Sequence, residues 1–166
     1  MIEEYRLLAA VIAAHPHGEV IGRTRLQKTV KLLQRLGLPT SYGYTIHFYG
    51  PYSEDLQSDV TLLENVSLAR EEPRTTKAGD NTYYVVKAAA LADRTLVSDL
   101  QPKIDILAKE DPVVLELAAT YDAFREEGND HGEAMRRLKR KKGSKISDGN
   151  DAKALELLRR LGLPSK

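Results

Sequence analysis

The densest clusters of candidate binding residues in the sequence consist of Arg and Lys. One group lies between positions 136 and 142, a run that contains no acidic residue, and another lies between positions 23 and 28. Such clusters can bind phosphate groups and release the counterions around them. The predicted nucleic-acid contacts are Arg23, Arg25, Lys28, Arg136, Arg137, Lys139, Arg140, Lys141 and Lys142. The alternative is a solvated helix end, where cations also complement the carbonyl dipole.

Tyrosines followed by acidic residues form a second candidate surface. The predicted protein-interaction residues are Tyr49, Tyr52, Glu54, Asp55 and Asp59. Tyrosine is common among the residues that dominate the binding energy of protein interfaces, whereas carboxylates on a docking helix would repel nucleic-acid phosphates. The alternative for the two tyrosines is packing at the turn between a strand and a helix.

Residues able to support catalysis or bind metals follow no familiar pattern. The chain contains no cysteine and four histidines. His15 and His17 flank a proline, which differs from the i, i+4 spacing of a helical zinc pair, so we predict packed or surface histidines there and at His47. The glycine motifs of nucleotide-binding loops and the Gly-x-Ser-x-Gly motif of hydrolases do not occur in the sequence. We therefore predict no catalytic residue, no metal and no cofactor.

The composition is that of an ordinary folded protein. The 166 residues are 42% hydrophobic and 30% charged, which argues against overall disorder. Two glutamates and no basic segment precede the first apolar stretch, so we expect no signal peptide, and no apolar run approaches the roughly 18 residues of a membrane span. We expect a cytoplasmic protein. The net charge of +1 means that electrostatic binding must depend on local patches.

Apolar spacing predicts three helices in the N-terminal half. They cover residues 2–14, a segment from about Thr24, and a segment that follows Ser53. Thr24 and Gln27 have the spacing of a capping box, in which each side chain bonds the other residue's backbone. Ser53 is a predicted N-cap for the third helix.

Strand-like segments are few. Residues 44–49 are predicted to form a short strand, with a turn at Gly50. Residues 68–72 and 82–87 are predicted to form the two arms of a hairpin, and we expect no other strand. Helices followed by a two-stranded wing are the plan of the winged helix, a variant of the helix-turn-helix.

The C-terminal half reads as helical. Helices are predicted near residues 95–109, after Asp111, after Asp130 and from about Asp151. We therefore predict a mainly α protein with a small β-hairpin (α+β), with a winged-helix-like module over residues 1–90 and a helical C-terminal extension over residues 91–166. The alternative is a single compact domain.

Three stretches resemble uncharacterised prokaryotic proteins called YwgA-like. They are residues 22–28 (GRTRLQK), residues 47–53 (HFYGPYS) and the helix around residues 117–120 (LAAT), which a basic stretch follows. The Leu-Gln-Lys helix followed by Tyr-Gly-Pro more distantly resembles the Panacea domain of antitoxin and proteolysis-adaptor proteins. The first resemblance brings no known activity, and the second implies a small non-enzymatic regulator that binds a protein partner.

These observations lead to two main hypotheses. The first is a non-enzymatic regulatory or interaction module, antitoxin- or adaptor-like, that binds an unidentified protein partner. The alternative is a winged-helix nucleic-acid-binding transcriptional regulator that uses the local basic patches. An enzyme of unrecognised type is a minor third hypothesis, because none of the usual site markers is present.

Overall fold

The computed structural model describes residues 2–166, most of them in helices. Its α-helices are α1 (Glu4–Ala14), α2 (Arg23–Arg35), α3 (Glu54–Asn65), α4 (Gln101–Ala108), α5 (Pro112–Glu126), α6 (His131–Lys142) and α7 (Asn150–Leu161). Its strands are β1 (Glu19–Ile21), β2 (Thr45–His47), β3 (Gly50–Tyr52), β4 (Ala69–Thr75) and β5 (Thr82–Ala88). Short 3-10 helices cover Pro16–Gly18, Arg94–Leu100 and Gly143–Gly149. This content confirms the predicted α+β class.

A three-stranded antiparallel sheet has the order β1-β5-β4. β4 and β5 form the predicted hairpin, and Val20 of β1 lies opposite Val86 of β5. The expectation that no further stretch forms a strand is wrong for β1. Three residues are too few to display the alternation by which a strand is recognised, although Val20 is fully buried beneath α1.

A second sheet contains only β2 and β3, which pair antiparallel with Thr45 opposite Tyr52 and His47 opposite Gly50. The prediction of one strand over residues 44–49 with a turn at Gly50 is therefore wrong in detail. The chain reverses at Phe48 and Tyr49, and Gly50 begins the returning strand. Two-residue hairpin loops usually contain asparagine or glycine, so the aromatic pair gave no turn signal.

The start of α2 differs from the predicted capping box. Gly22 occupies the N-cap position, and no side chain caps this helix. Gln27 instead donates to the carbonyl of Ser53 and accepts from the amide of Ser53, at 2.9 and 2.8 Å. The predicted cap at Ser53 is confirmed, because its Oγ accepts a hydrogen bond from the amide of Leu56.

Helix α5 lies at the centre of the fold. It packs against α2, α6, α7 and β3, and all residues from Val114 to Phe124 are buried. A helix enclosed by neighbours buries every face. Three of its polar residues, Glu116, Thr120 and Asp122, are therefore buried as well.

One hydrophobic core draws residues from both predicted halves of the chain, for example Leu8 and Leu26 with Leu117 and Leu158. The predicted boundary near residue 90 falls between β5 and the 3-10 helix that begins at Arg94.

Among residues 2–166, no helix is both long and apolar enough to cross a bilayer.

Candidate functional site

The tip of the β2–β3 hairpin presents two aromatic rings to solvent. The side chains of Phe48 and Tyr49 are 78% and 56% exposed, and their ring centroids lie 4.9 Å apart in an edge-to-face arrangement. Large aromatic side chains lose a favourable burial free energy when they remain in water. We define Phe48 and Tyr49 as the aromatic tip.

Two buried lysines hold the backbone of this hairpin. Lys28 of α2 donates from Nζ to the carbonyl of Pro51 at 2.7 Å, and Lys142 at the end of α6 donates to the carbonyl of Phe48 at 2.9 Å. Only 2% of Lys28 and 5% of Lys142 are exposed. The hairpin is thus attached to two separate helices by charge-assisted hydrogen bonds, which are stronger than neutral ones.

A buried carboxylate offsets part of this positive charge. Glu116 of α5 lies 3.4 Å from the Nζ of Lys142 and 2.9 Å from the Nζ of Lys145. Burial lowers the pKa of Lys28 to about 8, although the nearby carboxylate of Glu116 acts in the opposite direction. Burial also lowers the pKa of Lys142. Three ammonium groups therefore share one buried carboxylate.

Gly50 allows the hairpin to lie directly on α5. Its φ of +93° favours glycine, and a Cβ atom there would lie 2.6 Å from Oγ1 of Thr120. The hydroxyl of Thr120 is fixed because it donates to the carbonyl of Glu116 at 2.7 Å. A glycine at position 50 is thus required by both backbone conformation and space.

A cleft of about 540 Å³ opens beside the hairpin. Arg23, Thr24 and Lys28 of α2 line one side, and His47 with Tyr52 lines another. Its volume lies within the range of ligand pockets. The cleft provides a concave surface next to the exposed rings.

A cation from the segment after α6 lies beside the aromatic tip. The Nζ of Lys145 lies 4.8 Å from the ring centroid of Tyr49 and 5.8 Å from that of Phe48. Lys139, Arg140 and Lys141 of the last α6 turn are exposed and have no ion-pair partner among residues 2–166. The structure thus brings Lys142, the end of the predicted basic run, to the carbonyl of Phe48, which precedes the predicted interface residue Tyr49.

The remaining predicted nucleic-acid contacts have protein partners. Arg23 forms two hydrogen bonds with Glu71 and lies over the ring of Tyr84. Arg25 donates to the carbonyls of Leu107 and Glu110.

On α6, Arg136 pairs with Glu133, and Arg137 pairs with Glu127. With Lys28 and Lys142 buried, only Lys139, Arg140 and Lys141 of the nine predicted residues are both exposed and unpaired within residues 2–166.

The predicted protein-interaction residues divide between the hairpin and α3. Tyr52 is partly buried and its ring contacts that of His47. Glu54 and Asp55 are exposed at the start of α3, whereas Asp59 accepts a 2.6 Å hydrogen bond from the hydroxyl of Tyr42. Asp59 therefore has a structural role that the sequence did not predict.

Sequence reasoning missed Phe48, Lys145 and Glu116 as parts of one site. Phe48 carried no turn signal, because an aromatic pair is unusual in a two-residue hairpin loop. Glu116 and Lys145 carried no signal either, because their proximity depends on how α5 meets the segment after α6.

A second charged cluster joins α2 to α5. The carboxylate of Asp122 is fully buried and lies 2.8 Å from the Nζ of Lys31 and 3.0 Å from the Nε of Arg35. Glu126 pairs with the same two cations and lines a neighbouring cleft of about 620 Å³. The surroundings of Lys31 resemble a structural ion-pair network more than a binding surface, because its charge is matched inside the protein.

Two of the four histidines are hydrogen-bonded to helices within the fold. His15 is buried and its Nδ1 lies 2.7 Å from the carbonyl of Val11, while Nδ1 of His131 lies 2.8 Å from the hydroxyl of Tyr121. Among residues 2–166, no group of three or more His, Cys, Asp or Glu side chains is arranged to hold a metal ion.

Comparison with known proteins identifies one similar sequence. No family model matches the chain. The chain is 37% identical over 71 residues to the uncharacterised protein YwgA of Bacillus subtilis (strain 168), a region that makes up 43% of this chain and 42% of YwgA. The match thus covers less than half the length of that curated relative. It supports the resemblance to YwgA-like proteins that the sequence motifs indicated.

Proposed function

We propose that this protein is a non-enzymatic interaction module that binds a protein partner through the aromatic tip. The observation that carries this proposal is the exposure of Phe48 and Tyr49 on a hairpin that two buried lysines hold in place. Aromatic residues of this kind dominate binding energy when a partner desolvates them.

Rigidity makes the exposed rings suited to binding. A flexible loop would lose conformational freedom on association, whereas an anchored hairpin has already lost it on folding. Burial of an ammonium group costs several kcal/mol unless good hydrogen bonds and counter-charges compensate. Using two such groups to fix one short hairpin is consistent with a requirement for defined geometry at Phe48 and Tyr49.

Charges of both signs around the hairpin favour a protein partner over a phosphate backbone. Lys145 lies at the tip, whereas Glu54 and Asp55 are exposed just beyond the base of the hairpin. A long phosphate backbone that extended from the tip to α3 would be repelled there by those carboxylates, whereas a protein can present acidic groups at the tip and complementary groups beside α3. An adaptor- or antitoxin-like role and cytoplasmic residence remain parts of this proposal.

Affinity capture with matched variants tests the proposal. We expect wild-type protein to retain a specific partner that the double variant Phe48→Ala/Tyr49→Ala loses. Leu91→Ala is the control, because Leu91 is 76% exposed at a different site. Each captured protein is then purified and titrated directly, and the melting temperatures of the variants establish that they fold. Equal affinity for wild type and the double variant would contradict the proposal.

A nucleic-acid-binding regulator is the second candidate. The sheet order β1-β5-β4, in which β1 lies between α1 and α2 and the β4–β5 hairpin follows α3, supports a winged-helix interpretation. The exposed Lys139, Arg140 and Lys141 could contact phosphates. However, residues 36–53 separate α2 from α3, whereas a helix-turn-helix has a turn of about 3–4 residues. Gel-shift titrations at several salt concentrations test this candidate, since phosphate binding weakens steeply as salt rises.

A further inference from the structure

We propose that the segment recognised by the aromatic tip is an acidic polypeptide with apolar residues between its carboxylates. This inference rests on the proposed function and adds the chemistry of the partner. Its basis is the uneven distribution of charge around Phe48 and Tyr49.

The positive charge at the tip exceeds what the protein neutralises. Lys28, Lys142 and Lys145 surround the single carboxylate of Glu116, so the group as a whole is cationic at neutral pH. Of these, Lys145 is the accessible member, with 32% of its side chain exposed next to the ring of Tyr49. A carboxylate that approaches Tyr49 from solvent would thus meet an ammonium group beside the ring.

Helix α6 extends this cationic region. Successive residues of an α-helix are rotated by about 100°, so Lys139 and Lys141 lie on either side of the face that carries buried Leu138 and Lys142. Both are exposed and have no ion-pair partner among residues 2–166. Both belong to the same last turn of α6 as Lys142, which bonds the carbonyl of Phe48.

The acidic residues of α3 lie farther from the tip. Three residues of β3 and Ser53 separate Tyr49 from Glu54, and strands rise about 3.3 Å per residue, so this separation is roughly 10 Å or more along the hairpin. That distance is comparable to the screening length at physiological ionic strength, about 8 Å. The ammonium group of Lys145, 4.8 Å from the ring centroid of Tyr49, is therefore much closer to the rings than these carboxylates.

Ring geometry favours a polypeptide over single-stranded nucleic acid. Proteins that bind single strands stack successive bases on the faces of aromatic side chains. The planes of Phe48 and Tyr49 are inclined by 85°, so the two rings cannot stack in parallel on neighbouring bases. Together they form a wedge whose edges and faces can contact aliphatic side chains.

Selection from a random peptide library tests this inference. Phage-displayed dodecapeptides are selected on immobilised wild-type protein and on the variant Phe48→Ala/Tyr49→Ala. We expect peptides that need the tip to be enriched in Asp and Glu relative to Lys and Arg, and also in apolar residues. The double variant Lys139→Glu/Lys141→Glu should weaken the best peptide by about tenfold at low salt and much less at high salt.

A matched charge reversal and an oligonucleotide complete the experiment. Lys77→Glu/Lys153→Glu makes the same change in net charge at exposed positions elsewhere and should leave peptide affinity unchanged. Tip-dependent peptides without acidic enrichment, or failure to enrich any tip-dependent peptide, would overturn the inference. Tighter, tip-dependent binding of oligothymidylate than of any peptide would also overturn it. If proteins captured by the wild type bind equally well without the rings, the proposed function itself fails.

Discussion

At the scale of single residues, the hairpin depends on groups that are buried rather than exposed. Lys28 and Lys142 bond the carbonyls of Pro51 and Phe48, and Gly50 leaves space for Thr120. None of these groups needs to contact a partner. They fix the position of Phe48 and Tyr49, whose rings we propose contact the partner.

Replacement of Gly50 tests the fit between the hairpin and α5. Gly50→Ala forces a non-glycine residue to a φ of +93° and places Cβ 2.6 Å from Oγ1 of Thr120. Gly79→Ala is the control, because Gly79 has a φ of +72° with no atom near the added Cβ. We expect the control to lose about 1 kcal/mol of unfolding free energy and Gly50→Ala about 1–3 kcal/mol more. Equal losses in urea titrations would show that contact with Thr120 is unimportant.

The lowered pKa of Lys28 predicts a pH dependence of stability. Lys28 titrates at about 8 in the folded protein and at about 10.4 in an unfolded chain. Between these values the unfolded chain binds more protons, so the unfolding free energy contributed by Lys28 rises with pH. Lys142, whose pKa is also lowered, adds a change of the same sign. Above about pH 10 the raised pKa values of buried Tyr42 and Tyr44 act in the opposite direction.

Urea titrations between about pH 8 and about pH 10 measure this dependence. Lys28→Met removes one titrating ammonium group, so its stability should rise less with pH than that of the wild type. The exposed Lys77→Met serves as control and should follow the wild type. A slope unaltered by Lys28→Met would contradict the assignment of the titration to Lys28.

At the scale of elements, Gln27 connects α2 to the start of α3. Gln27→Met should cost about 1–3 kcal/mol, because the buried amide of Ser53 loses its acceptor. Gln57→Met is the matched control, since the side chain of Gln57 has no hydrogen-bond partner among residues 2–166, and it should change stability by less than about 0.5 kcal/mol. Equal losses of stability for the two variants in thermal or urea unfolding would contradict this role of Gln27.

Local signals predicted the elements well where a cap or a stop residue marked their ends. Asp111 and Asp130 cap α5 and α6 as expected, and Gly162 ends α7 in the left-handed conformation. The capping box at Thr24 was wrong because Gln27 has a distant partner, Ser53, and tertiary contacts are not encoded in local spacing.

The candidate site was only partly predictable for the same reason. Tyr49 and the basic run were each identified, but their proximity depends on the packing of α6 beside the β2–β3 hairpin. Lys28 was predicted as an exposed cation because charged residues are rarely buried. Its burial follows from a carbonyl partner contributed by a separate hairpin.

At the scale of the whole molecule, α5 joins the two predicted halves. It packs against both α2 and α7, and its buried Asp122 pairs with Lys31. We therefore expect a single cooperative urea transition, with far-ultraviolet circular dichroism and tyrosine fluorescence changing together. Two separate transitions would instead support independent domains over residues 1–90 and 91–166.

Site-specific photocrosslinking directly tests whether the aromatic tip contacts a protein partner. Benzoylphenylalanine is introduced at position 48 or, as a control, at position 91, both highly exposed, and the cells are irradiated. We expect a discrete protein adduct at position 48 that resists nuclease and is absent at position 91. An adduct that nuclease destroys, the same adducts at both positions, or no protein adduct at position 48 would contradict the proposed contact.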